Sequence, residues 1–296
     1  MNVCFYHQSD LDGHCSGAIY AHAKQKAGEE FVLHGIDYGD PIPWNLVDGN
    51  DLTVIDWSFQ PWALFCEVIQ RAASLLWIDH HKSAIEMWQQ NELPSGTGNM
   101  TVFLDMKRAG CELAWDAFFP SRPMPTAVWL LGRYDVWDHA NERVLPFQYR
   151  MRLEETDPAQ PGAMNLWFPL LEDVKAILPK MIEEGAILLR YQRKQDAGDV
   201  SHTWFPIEWE GKRWQACNRT GKGSTFFESV WDRKCYHGMM TWGWTGKYWR
   251  IRLYSDRPDV DCSEIAKRYS GGGHKGAAGF QCAALPFLLP MANPLE

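Results

Sequence analysis

Three segments of the chain end a short apolar run in acids and histidines, and a fourth carries an acid at the end of an amphipathic stretch. They are HQSDLDG, with His7, Asp10 and Asp12; VIDW, with Asp56; IDHH, with Asp79, His80 and His81; and GRYDVWDH, with Asp135. Carboxylates brought together repel one another, and they hold protons or distort a fold unless cations neutralise them. A mixture of imidazoles and carboxylates suits a divalent ion such as Mn²⁺ or Mg²⁺ better than a structural zinc, which favours thiolates. Each residue taken alone has a plainer reading. An Asp at a strand end caps the next helix, a lone His on a strand is a hydrogen-bonded core residue, and Asp12-Gly13 makes a turn. Three strand ends in one half of the chain, all bearing acids or histidines, outweigh those separate explanations.

The elements that must position these residues follow from the apolar pattern. Strands are predicted over Asn2–His7, Phe31–Ile36, Leu52–Ile55, Leu75–Ile78 and Thr101–Leu104. Helices are predicted over Cys15–Ala27, Trp62–Ala73, Cys111–Phe118 and Thr126–Gly132. This alternation implies an α/β fold with a mostly parallel sheet and helices on both faces. Ligands of such sheets bind beyond the carboxyl ends of the strands, so the first three clusters should converge in one crevice. Residues 141–163 are polar and hold Pro146, Pro158 and Pro161, which suits a connecting loop; a helix is expected from about Leu170 to Lys194. FPIEW, RWQACN, HGMMTWGW and YWRIRLYS then read as strands, with one helix over Cys262–Tyr269. The expected organisation is a catalytic domain over 1–140, a linker and connecting helix over 141–199, and a smaller α/β substrate-binding domain over 200–296.

Composition narrows the function classes. A chain of 296 residues is long enough for two domains, and 46% hydrophobic with 22% charged residues describes a globular protein. No apolar run spans a bilayer, and the N-terminal MNVCFYHQSD lacks the pattern of a signal peptide. The eight cysteines are scattered without a C-x-x-C pair, so neither a disulfide framework nor a four-thiolate zinc site is expected, and a reducing cytoplasm fits. A net charge of −8 argues against coating long duplex DNA, while leaving room for a small phosphate-bearing substrate. Sixteen tryptophans are expected mainly in packing rather than in base stacking.

HQSDLDG, VIDWSF, IDHHKSA and GRYDVWDH, in this order, resemble the four motifs of the DHH phosphoesterase superfamily. DVDCSEIAKRYSGGGHKGAAGF resembles the signature of its DHH-associated C-terminal domain, so the likeness runs from His7 to Phe280. The short form is similar to oligoribonuclease (nanoRNase) and RecJ-like members. The resemblance implies that His7 and Asp10 bind one metal ion, that Asp12, His80 and Asp135 bind another, and that Asp56 bridges both. It implies two divalent ions, Mn²⁺ first, with Mg²⁺ or Co²⁺ as alternatives. Asp79 would hold the His80 ring, and His81 would face the scissile phosphate. Asp138 and His139, one turn beyond Asp135, are the alternatives to it.

Two metals about 3.5–4 Å apart lower the pKa of a shared water and offset charge on an attacked phosphoryl group. In the glycine-rich segment, Gly272 and Gly273 let backbone N–H groups approach phosphate, and His274 and Lys275 add charge. A flexible linker is the bland reading there; Ala277, Ala278 and Phe280 argue for a packed loop. Many relatives carry Pro in place of Lys275. Arg252 and Asn218 stand where the family's second domain often contacts phosphate or sugar. The expected activity is exonucleolytic hydrolysis of short single-stranded oligonucleotides to mononucleotides, with no membrane partner. Alternatives are a cyclic or linear dinucleotide phosphodiesterase, a 3′-phosphoadenosine phosphatase, a RecJ-like single-strand exonuclease, or a non-catalytic nucleotide-binding protein. An inorganic pyrophosphatase fits less well, because that branch has a different second domain.

Overall fold

The computed structural model describes residues 1–94 and 99–289. The chain divides into two units, Met1–Leu189 and the part from Arg190 onward. The division falls inside a single long helix, α9 (Ile177–Thr203), so residues 141–189 group with the first unit.

The first unit is built on a five-stranded parallel sheet: β1 (Asn2–His7), β2 (Phe31–Ile36), β3 (Asp51–Ile55), β4 (Ser74–Asp79) and β5 (Asn99–Leu104), in the order β2-β1-β3-β4-β5. Alternation along each strand sends neighbouring side chains to opposite faces. Val3, Phe5, Val54 and Trp77 enter one core, covered by α3 (Trp62–Arg71) and α4 (Lys82–Gln90). Cys4, Ile55 and Ile78 enter the other, with α1 (Leu11–Ala27), α5 (Gly110–Phe118), α6 (Thr126–Asp135) and α8 (Ala163–Leu171). α1 is rich in small residues and buried along most of its length, as a helix packed between the sheet and other helices requires. A short helix, α2, spans Trp44–Val47. The stretch 141–163, expected as a loop, contains α7 (Val144–Met151). Pro146 sits in the first turn of α7, where its missing N–H costs nothing, and Val144, Phe147 and Met151 are buried.

The second unit carries a six-stranded mixed sheet: β6 (Phe205–Trp209), β7 (Lys212–Cys217), β8 (Gly238–Trp244), β9 (Trp249–Tyr254), β10 (Gly272–Gly273) and β11 (Ala277–Cys282). Its order is β10-β11-β9-β8-β7-β6. One face packs Trp214, Met240, Trp242, Ile251, Leu253 and Phe280 against α10 (Cys262–Lys267). Trp77, Trp115, Trp167, Trp214 and Trp242 are fully buried, the packing use of tryptophan anticipated from composition, whereas Trp244 is 50% exposed. All eight cysteines are free thiols. Among the described residues, no helix is long and apolar enough to cross a membrane.

Candidate metal centre

The sheet order reverses at β1 and β3, and the carboxyl ends of parallel strands at such a reversal form a natural crevice. His7 ends β1, Asp56 follows β3, and Asp79, His80 and His81 close β4. Asp10 is the N-cap of α1, its side chain accepting from the Gly13 amide. Asp12 lies in the first turn of that helix. Gly13 is needed there for space: a Cβ would lie 1.9 Å from the His7 carbonyl oxygen. Asp12-Gly13 is therefore not a turn but the point where α1 rests on the end of β1.

Asp56 caps no helix; α3 begins at Trp62, behind Pro61. Its backbone sits at φ 59°, a left-handed conformation that a non-glycine residue adopts at a cost of roughly 1–3 kcal/mol. That conformation aims a buried carboxylate across the crevice. Oδ1 lies 3.0 Å from His80 Nε2, and Oδ2 lies 3.7 Å from His7 Nδ1. His7 Nδ1 is also 3.1 Å from Asp10 Oδ2. His80 Nε2 is 3.3 Å from Asp135 Oδ2 and 3.5 Å from Asp12 Oδ2. Two donor groups result, His7–Asp10–Asp56 and Asp12–Asp56–His80, each with one ligand atom per residue within 4.8 Å of the others. They share Asp56.

Buried like charges leave their mark on protonation. Burial, then Asp56 and Asp135, push the Asp12 carboxyl well above its ordinary range. Burial, with Asp10 and Asp56 adding to it against the pull of His80, raises Asp135 to about 6. Burial alone would lower the imidazoles; instead Asp10 and Asp56 push His7 up to about 12, and Asp135, Asp56 and Asp12 push His80 upward. Asp56 goes the other way. Its burial penalty is outweighed by His7 and His80, which hold it below the carboxylate range. Asp12, Asp56, Asp135, His7 and His80 thus perturb one another's protonation where divalent cations would serve better. The donor set, oxygen-rich with two nitrogens and no thiolate, fits hard to borderline divalent ions.

Asp79 is buried behind the cluster and holds the turn that follows β4. Its Oδ1 accepts from the His80 amide at 2.7 Å, from the His81 amide at 3.1 Å and from His81 Nδ1 at 2.8 Å. The carboxylate therefore orients the His81 ring. Burial would lower His81, but Asp79 raises it. Among the alternatives on the fourth motif, Asp135 reaches His80. Asp138 faces Arg133 at 3.7 Å, and His139 Nε2 lies 3.2 Å from the Tyr134 carbonyl.

Several supporting residues carried no sequence signal strong enough to be singled out. Both oxygens of Asp12 accept from the start of α5, from Gly110 N at 2.7 Å and Cys111 N at 2.8 Å. A Cβ on Gly110 would lie 2.6 Å from the Asp56 Cβ, so only glycine lets α5 come this close to both carboxylates. Glu112, one turn in, pairs with Arg133 on α6 and so ties α5 to the helix bearing Asp135. Asp37, just past β2, lies 3.5 Å from His7 Nε2; the rule that found the other strand-end acids points to it as well.

In the second unit, Gly272–Gly273 and Ala277–Cys282 form a hairpin. The His274 amide donates to the Ala277 carbonyl at 2.7 Å, so the segment is a packed turn rather than a linker. Lys275 Nζ donates to the Pro258 carbonyl at 2.8 Å, which anchors that side chain to the protein. Arg252 lies on β9, opposite Thr241 of β8 and Gly279 of β11. Asn218 follows β7 and is exposed, its carbonyl accepting from Arg219.

No family model matches the chain. It is 25% identical over 259 residues to an uncharacterized protein of Acanthamoeba polyphaga mimivirus, a match covering 82% of this chain and 56% of that protein. The chain thus spans about half the length of the curated relative it matches. Among solved structures it is similar to the pGpG-specific phosphodiesterase PggH of Vibrio cholerae, with a TM-score of 0.52 at 12% identity over 96% of this chain and 94% of that one. It is also similar to an exopolyphosphatase-related protein of Bacteroides fragilis, with a TM-score of 0.54 at 12% identity over 96% and 87%. The chain shares the fold of these two proteins over nearly its whole length. In that fold the parallel sheet of the first unit bears the Asp-His-His triplet at the end of β4, and the mixed sheet of the second bears the glycine-rich hairpin.

Proposed function

We propose that the chain is a metal-dependent phosphodiesterase that hydrolyses short single-stranded oligonucleotides from an end, releasing mononucleotides. The observation that carries this reading is the placement of Asp56, whose two oxygens face two separate groups of ligands. A neutral imidazole offers one nitrogen and could not serve both. His7 and Asp10 would hold one divalent ion, Asp12, His80 and Asp135 the other, with Mn²⁺ the preferred metal. Bound there, two such ions supply a water of lowered pKa and neutralise phosphoryl charge.

The chain's own groups do the rest. The α5 amides fix both oxygens of Asp12 and favour its charged form once cations are present. His81, held by Asp79 through Nδ1 and raised in pKa by that carboxylate against its burial, would offer Nε2 to a phosphoryl oxygen. In the second unit, His274 and the amides of the glycine-rich hairpin would hold a further phosphate of the substrate. The net charge of −8 favours substrates with few phosphates over long polymers.

A second reading is supported by one neighbour: PggH, alike in fold over nearly the whole chain, is a phosphodiesterase specific for the linear dinucleotide pGpG. Both readings are tested by one panel of labelled di- to decanucleotides, RNA and DNA, with cyclic dinucleotides and 3′-phosphoadenosine, each with Mn²⁺ and Mg²⁺. The proposal expects kcat/KM to peak at roughly two to five residues, where a few phosphate contacts carry most of the affinity. Faster, processive decay of strands about twenty residues long would favour a RecJ-like exonuclease instead.

A further inference from the structure

Glu112 on α5 and Arg133 on α6 form an ion pair for which stability is a poor explanation. Glu112 is 3% exposed. Taking two charges out of water often costs as much as their attraction returns, unless every remaining donor and acceptor also finds a partner. That condition is not met here. Among the described residues, Arg133 Nε is buried without a hydrogen-bond partner. Two apolar side chains of similar volume would fill the same space with no charge to desolvate. The use of the pair lies in the elements that it joins.

At the start of α5, three backbone amides are divided between two carboxylates. Ala109 N donates to Glu112 Oε2 at 3.0 Å, while Gly110 N and Cys111 N donate to Asp12 at 2.7 and 2.8 Å. Glu112 thus fixes the turn that fixes Asp12. Arg133 lies in the last turn of α6, two residues before Asp135. The two helices are cut to fit at this point, because a Cβ on Gly132 would lie 2.6 Å from Glu112 Cγ. Asp12 Oδ2 and Asp135 Oδ2 both approach His80 Nε2, at 3.5 and 3.3 Å. Burial, Asp56 and Asp135 all act against the charge on Asp12, so these carboxylates repel one another. A bracket between α5 and α6 opposes their separation. His7 and Asp10, in the other donor group, belong instead to the end of β1 and the cap of α1.

We infer that Glu112 and Arg133 are a positioning pair for one of the two cation sites, holding Asp12 and Asp135 at the spacing which the Asp12–Asp56–His80 group needs while leaving the His7–Asp10–Asp56 group alone. The inference rests on the two-cation reading and says which residues build its second site. Calorimetry and electron paramagnetic resonance on the full chain with Mn²⁺ test it. The wild-type chain should bind two Mn²⁺ and, at two equivalents, show the broadened spectrum of a coupled pair. The Glu112→Leu/Arg133→Met double variant removes both charges at once, so that no buried charge is left unpaired. It should bind one Mn²⁺ within about threefold of wild type and the other at least about tenfold more weakly, as when supporting groups of metal ligands are lost. At two equivalents its spectrum should show the six lines of an isolated ion. Glu112→Gln keeps an acceptor for Ala109 N and loses only the pairing charge. It should weaken the same site about tenfold and covers the case in which the double variant fails to fold. Arg133→Lys, which keeps the charge, should restore most of the coupled spectrum. Two sites weakened alike, or neither weakened, in the folded double variant or in Glu112→Gln would overturn the inference and leave the two-cation reading standing. A wild-type chain that binds one Mn²⁺ at saturation would sink that reading and the inference with it.

Discussion

The two units concentrate opposite charge by opposite means. In the first, acids are buried at the ends of parallel strands, where helix amides and imidazoles hold them until cations arrive. In the second, arginines line an open cup. The buried cluster is expensive when empty, and burial and mutual repulsion force protons onto Asp12 and Asp135. The exposed cup keeps its charge at little cost, because water screens it. A site of the first kind must therefore be rigidly supported. A site of the second kind needs only the right strand register.

The largest effect expected from this contrast is at the shared ligand. Asp56→Asn keeps shape but removes the charge that two cations would share, so Mn²⁺-dependent turnover should fall at least about a hundredfold, the upper end for lost metal-site support. A folded variant with near wild-type turnover at saturating Mn²⁺ would break the comparison.

Next comes the support of the cluster. Gly110→Ala forces a methyl group toward Asp56 and displaces the amides that hold Asp12. Mn²⁺ affinity by calorimetry should drop roughly ten- to a hundredfold, as for other supporting groups of metal sites. An unchanged affinity would mean that α5 packs there for stability alone.

How far the sequence announced all this differs between the units for a physical reason. Parallel strands buried on both faces stand out as apolar runs, and an acid at such an end is conspicuous; hence His7, Asp10, Asp12, Asp56 and His80 were legible together with the sheet that carries them. The contact of Asp79 with the His81 ring was not, because it depends on ring rotations within one tight turn. Gly110 gave no signal because a close approach is a property of two distant segments. α7 was missed because Pro146 reads as a loop residue unless its place in a first turn is known. The cup is the extreme case. Arg252 was picked out, but Arg250, Thr220 and Trp244 join it only through the pairing of β8 with β9 and the fold of the chain after β7.

The protons on the empty cluster give a pH prediction of moderate size. Asp135 is raised from an ordinary carboxyl value to about 6, chiefly by burial, so the metal-free protein holds that proton up to about pH 6. Cations must displace it, and Mn²⁺ affinity should therefore fall as pH drops through 6, with proton release on binding. Titrations in buffers of different ionisation enthalpy measure that release. Binding with no proton release at pH 5.5 would contradict the assignment.

The smallest expected effect lies outside both sites. Glu172 accepts from Arg122 and, with Lys26 and His22, is held down to about 2. A depressed carboxyl contributes stability above its ordinary pKa, and that contribution is lost as pH falls through the folded value. Glu172→Gln should cost about 1 kcal/mol at pH 7, and the difference from wild type should shrink as pH falls from about 4 toward 2. Denaturant midpoints at pH 7 and 3 check the sign. Mn²⁺ affinity should not move.

The most direct test of the central claim, that Asp56 holds two cations at once, is a crystal structure of the chain grown with Mn²⁺ and measured at the manganese absorption edge. Two anomalous peaks should flank Asp56 roughly 3.5–4 Å apart, one on His7 and Asp10, the other on Asp12, His80 and Asp135. A single peak, or two peaks of which only one touches Asp56, would contradict it.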